Sequence, residues 1–96
     1  MPLIFEWNNA KAKRNIAKHR VALEEASTVF GDSLSITIDD PMHSSPDEQR
    51  FITIGSSYLG KILVVAHCDR ADSIRIISAR FATRKERKAY EEEKQS

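Results

Sequence analysis

Apolar and polar residues alternate most clearly over Leu34–Ile38, where Leu34, Ile36 and Ile38 are set against Ser35 and Thr37. That is the period of a half-buried strand. Arg50–Ile54 reads as the next strand, with a turn at Gly55–Gly60. Ile62–Cys68 is an apolar run long enough to be central, and Ile74–Arg80 is a fourth strand after a short turn at Asp69–Asp72. Four strands joined by short turns predict an antiparallel meander. Ahead of them, Leu3–Trp7 reads as an edge strand or extended arm, with Trp7 expected in the core. Ala12, Ile16 and His19 recur at helical spacing behind a capping Asn8 or Asn9. A second helix is expected over Val21–Phe30, with Leu23, Ala26, Val29 and Phe30 as its apolar face. Ala22 leaves that helix without a side-chain cap, and Gly31-Asp32 is expected to end it, glycine being free to take the left-handed conformation. Thr83-Arg84-Lys85-Glu86 fits a capping box at the start of a last helix, whose end at Glu91–Ser96 should fray. Helices before and after the sheet give an α+β architecture in one small domain spanning 1–96.

Composition adds little to this until charge is followed along the chain. The 41% hydrophobic and 30% charged residues are those of a globular chain rather than a disordered one. No apolar run approaches the roughly 20 residues of a membrane span, and Met1–Trp7 lacks the pattern of a secretion signal. The single cysteine, Cys68, forms no internal disulfide and excludes a zinc site built on several thiolates, which suits a cytoplasmic protein. The net charge of +1 conceals a segregation. Residues 1–20 carry five bases against Glu6, 21–49 carry seven acids and neither Lys nor Arg, and 70–88 carry seven bases against Asp72 and Glu86. The last of these segments suggests a surface for anions, RNA phosphates first among them. The acidic stretch is equally consistent with solvated loops and a solvated helix face.

Order and residues together resemble the BrnT toxins of type II toxin–antitoxin systems. The resemblance rests on Phe5-Glu6-Trp7, Lys18-His19, Glu24-Glu25-Ala26, Arg50-Phe51, Val65-Ala66-His67 and Ile74-Arg75-Ile76-Ile77-Ser78-Ala79-Arg80, with Glu86 and Tyr90 downstream. It implies a RelE-like ribonuclease fold, a small bacterial ribonuclease that blocks translation, and a cognate BrnA-like antitoxin. That antitoxin would neutralise the toxin and repress the shared operon, so operator DNA would be met only through the complex. The chain departs from the family pattern at Arg20, where glycine is usual, at Ala22-Leu23 in place of Ser-Phe, and at Gln49 in place of a second Glu. A left-handed Arg20 would cost roughly 1 kcal/mol.

RNA is cut without a metal or other cofactor when its own 2′-hydroxyl attacks the adjacent phosphate. The enzyme must then remove one proton, stabilise charge on phosphorus and protonate the leaving oxygen. Arg50, Arg75 and Arg80 suit the phosphate, because a guanidinium grips two oxygens at once. His67 suits proton transfer if it is not a core histidine, and Glu48 is a candidate base. Lys18, His19 and Arg84 are candidate substrate contacts, His19 also lying on the apolar face of the first helix; His43 is expected to be merely exposed. Strict alternation places Arg75 with Ile77 and Ala79 and puts Arg80 on the opposite face. Both arginines serve one site only if the strand ends or bulges near Ser78–Arg80. A binding module without catalysis, using the same basic face for nucleic acid or antitoxin, is the alternative.

Overall fold

The computed structural model describes residues 3–95. In chain order the elements are β1 (Ile4–Glu6), α1 (Asn9–His19), α2 (Leu23–Ser27) and a 3-10 turn at Thr28–Gly31. They continue with β2 (Ile36–Asp39), a second 3-10 turn at Pro41–His43, β3 (Arg50–Ser56), β4 (Ile62–Arg70), β5 (Ser73–Phe81) and α3 (Arg84–Gln95). One five-stranded sheet has the order β1-β5-β4-β3-β2. β2 to β5 form the expected antiparallel meander, with the apolar β4 at its centre. The expected four-stranded sheet is corrected by β1, which adds to β5 in parallel, Phe5 opposite Ile74. The edge strand expected over Leu3–Trp7 is present as Ile4–Glu6; its parallel pairing onto β5 is what no local pattern specifies.

One face of the sheet is covered by the chain between β1 and β2. Val21, Leu23, Ala26 and Val29 pack on Leu63, Val65, Ile76 and Ala79, with Phe5, Trp7, Ala12 and Phe30 partly buried around them. Trp7 therefore borders the core rather than filling it. Gly55 lets the first 3-10 turn press onto β3: a Cβ there would stand 2.9 Å from both Ser35 Cβ and Val29 Cγ1. The helical segment ends at Gly31-Asp32 as expected, without a left-handed Gly31. The Asp32 carboxylate accepts from the backbone amides of Leu34 and Ser56 and from the Tyr90 hydroxyl. That carboxylate ties the turn, β3 and α3 together. Burial, with Asp32 as neighbour, pushes the Tyr90 phenol up to about 12.

The caps follow the sequence closely. Asn8 accepts from the Lys11 amide, Ala22 makes no side-chain cap bond, and Thr83 and Glu86 close a reciprocal capping box. Arg20 ends α1 with φ 60° and ψ 31°, the left-handed region in which glycine is usual. α3 continues to Gln95; Ser96 lies outside the described residues. No described helix is long and apolar enough to cross a membrane.

The buried face of α1 differs from its hydrophobic pattern. Ile16 is 49% exposed, and the buried residue is Asn15. β1 covers the edge of β5 only as far as Arg75. Beyond it, the Asn15 side chain takes the place of a neighbouring strand. Its Oδ1 accepts from the Ala79 amide at 3.0 Å, and its Nδ2 donates to the Ala79 carbonyl at 2.9 Å and to the Val21 carbonyl at 2.8 Å. An edge that would otherwise carry unpaired backbone groups is thereby closed from the helix.

Candidate functional site

A β-bulge determines which side chains meet on the face opposite the core cluster. Ser78 pairs with Ala66, whereas Ile76 pairs with His67, so Ile77 is an extra residue in β5. Arg75 lies opposite Cys68 and Arg80 opposite Val64. Cys68 and Val64 are four apart on β4 and share a face, so Arg75 and Arg80 share it too. The bulge lies at Ile77, just before the Ser78–Arg80 window. Ala79, expected beside Arg75, is on the core face at 1% exposure. Arg50 also pairs with Cys68, so Arg50 and Arg75 flank that thiol in one cross-strand row.

Arg50 and Arg80 line a cleft of about 310 Å³ on this face. Its floor includes Ile52, Val64 and Ala66, and its rim is formed by His19, Asp40, His43 and Ser78. A second groove runs along α1 past Lys11, Arg14, Lys18 and His19, and shares His19, Ile77 and Ser78 with the cleft. The two thus form a continuous basic path, over the helix, across the bulged edge of β5 and onto the sheet. Such a stripe fits a phosphate backbone.

Both cleft arginines are held by a carboxylate along one side of the guanidinium. Arg80 gives Nη1 and Nη2 to Glu86 at 2.7 and 2.9 Å, and the Glu86 carboxylate also accepts from the Thr83 amide. The Arg80 bonds, aided by Thr83, hold the Glu86 carboxyl down at about 2. Arg50 gives Nε to Glu48 at 3.0 Å. A guanidinium has five N–H donors. Arg80 therefore keeps Nε and one Nη2 proton, and Arg50 keeps its two terminal nitrogens, free of partners among the described residues. Glu48, the candidate base, here orients Arg50. Arg75 makes no ion pair among the described residues, and Arg84 is exposed at the start of α3.

His67 is not brought to this cleft, which corrects the expectation of a proton-transfer role there. It faces the covered side, 3% exposed, its ring 4.8 Å edge-on from Phe30 and stacked 5.8 Å from Phe51. Nε2 is hydrogen-bonded to Thr53 Oγ1 at 2.8 Å, and Thr53 to Thr37 at 2.7 Å. Nδ1 stands 3.4 Å from Asp69 Oδ1 without hydrogen-bond alignment. Burial outweighs that nearby carboxylate and lowers the His67 pKa, keeping the ring neutral.

The histidines that reach the cleft are His19, the last residue of α1, and His43. The segment expected to be an irregular loop is tightly built. Ser44 Oγ accepts from the Arg50 amide and donates to the Asp40 carbonyl, both at 2.8 Å, and Asp40 N–H donates to the Arg50 carbonyl at 2.9 Å. Asp40 Oδ2 lies 2.9 Å from His43 Nδ1. The sequence signal for this arrangement is Asp40-Pro41 opening a 3-10 turn, which brings residues three apart onto one side. Among the described residues no three His, Cys, Asp or Glu side chains are grouped to hold a metal ion.

Residues 7–86 match the family described as "Ribonuclease toxin, BrnT, of type II toxin-antitoxin system". A crystal structure of the Brucella abortus ribonuclease toxin BrnT is similar with a TM-score of 0.62 at 21% identity, over 86% of this chain and 100% of that one. At that identity the likeness is one of fold. The comparison with curated proteins finds no match.

Proposed function

The chain belongs to the BrnT family of ribonuclease toxins of type II toxin–antitoxin systems, and from that premise we propose that it is a metal-independent, RelE-like endoribonuclease acting in the cleft on the sheet face opposite the core cluster. The observation that carries this reading is the bulge at Ile77, which gathers Arg50, Arg75 and Arg80 on one face beside the basic groove of α1. RNA lies along Lys18, His19 and the β5 edge, with the scissile phosphate between Arg50 and Arg80. Glu48 and Glu86 position the two guanidinium groups, whose unpaired N–H donors take the non-bridging phosphate oxygens. The substrate's 2′-hydroxyl is the nucleophile, and the arginines stabilise the charge that grows on phosphorus. Arg75 and Arg84 extend the phosphate-binding surface.

Cleavage by this route inhibits translation in the cytoplasm. A BrnA-like antitoxin neutralises the toxin by laying acidic side chains or a helix over the arginine-bearing face, and operator DNA is met only by that complex. Charge reversal at Arg75 and Arg80 that left antitoxin affinity unchanged at low salt would refute this docking mode.

The test is cleavage of RNA by purified protein in excess EDTA. Wild type is expected to cleave, and Arg80→Ala to lose about 10²-fold or more in rate, the usual loss for one group stabilising transition-state charge. Wild-type cleavage abolished by EDTA would remove metal independence. Stoichiometric, salt-sensitive RNA association without turnover would establish a binding module instead.

A further inference from the structure

We propose that His43, oriented by Asp40, is the general base of this site, and that His19 on the other side of the cleft is the general acid. The proposal rests on the ribonuclease reading and assigns the proton transfers that the buried His67 is not placed to make. Three observations carry it. His43 Nδ1 lies 2.9 and 3.1 Å from the two Asp40 oxygens, so the carboxylate holds the ring by one nitrogen and leaves Nε2 for substrate. The His43 side chain is 65% exposed, whereas that of Asp40 is 13% exposed and is anchored by the backbone bonds to Arg50 and Ser44. His43, His19, Arg50 and Arg80 all line the same cleft.

A carboxylate behind an imidazole fixes the ring's tautomer and orientation and stabilises the cation formed when the ring takes a proton. That arrangement suits a base. His19 ends α1 and lines both the cleft and the α1 groove, so its ring N–H can meet the leaving oxygen of an RNA strand that follows that path, which suits an acid. In the step so assigned, His43 Nε2 takes the proton of the 2′-hydroxyl as the bond from O2′ to phosphorus forms. The bond from phosphorus to O5′ breaks, and O5′ receives a proton from the His19 imidazolium. The products are a 2′,3′-cyclic phosphate and a free 5′-hydroxyl. One proton is gained by His43 and one lost by His19, and exchange with water resets both.

The experiment is steady-state cleavage of an RNA oligonucleotide by the full chain, comparing wild type with His43→Gln, His43→Ala, Asp40→Asn and His67→Gln, each confirmed as folded by circular dichroism. His43→Gln is expected to lose about 10²-fold or more in kcat with KM within roughly threefold. His43→Ala should be partly restored by added imidazole, which a structural role would not produce. Asp40→Asn should lower kcat and leave KM unchanged, as a positioning residue does. His67→Gln should keep kcat near wild type. If wild type cleaves and His43→Gln stays within about threefold of it, this proposal is overturned while the ribonuclease reading stands. If wild type itself does not cleave, both fall.

Discussion

Replacing Asn15 with alanine should remove a large part of this protein's stability, although the change improves helix propensity by about 0.6 kcal/mol. Asn15 is 5% exposed and its amide serves three backbone groups, the Ala79 N–H, the Ala79 carbonyl and the Val21 carbonyl. Alanine leaves all three buried and unpaired. Each such group costs about 1–3 kcal/mol; at about 1.2–1.5 kcal/mol each, near the lower end, the net loss after the propensity gain is roughly 3–4 kcal/mol. Domains of this size have about 5–15 kcal/mol in all. At about 4–8 °C per kcal/mol, Tm should fall by roughly 12–30 °C. Urea unfolding followed by the fluorescence of Trp7, the only tryptophan, gives the difference directly. Asn15→Asp is the informative companion. It keeps the acceptor for Ala79 but turns a carboxylate oxygen toward two carbonyl oxygens, so it should lose at least as much. The consequence reaches the site, because Ala79 lies between Ser78 and Arg80 on the bulged strand. A loss below about 1 kcal/mol for Asn15→Ala would refute the idea that this side chain closes the β5 edge.

Two further predictions concern single positions. Glu86 has its pKa depressed to about 2 in the fold by Arg80 and Thr83, so its contribution is full above the unfolded carboxylate pKa near 4.5 and is lost as pH falls from there through about 2. Thermal unfolding between pH 5 and 2 should show that loss in wild type and a flatter profile in Glu86→Gln; identical profiles would mean that the pair contributes nothing. Arg20→Gly should raise stability by roughly 0.5–1 kcal/mol by relieving the left-handed backbone, less the entropy that glycine adds to the unfolded chain. Urea titration checks it, and a decrease would show that the Arg20 side chain contributes more than its backbone strain removes.

The strands of the meander, the central place of β4, the caps at Asn8 and Thr83 and the missing cap at Ala22 were legible in the sequence, because each is set by residues within a few positions of one another. So were the separation of charge along the chain and the candidacy of Arg50, Arg75 and Arg80. What alternation could not supply was which of those arginines face the same way. That depends on the extra residue at Ile77, and a bulge exists only relative to the strand it pairs with. The same limit hid Asn15, whose partner Ala79 is 64 residues away, and the parallel pairing of the expected edge strand β1 with β5. The burial of His67 and the meeting of exposed His43 with the cleft were decided beyond the sequence for a related reason. A histidine's sequence neighbours do not say what packs over it: Phe30 and Phe51 enclose the first, while the turn pinned to β3 through Ser44 lifts the second to the cleft rim. Local chemistry chose the residue types, and long-range pairing and burial decided which of them meet.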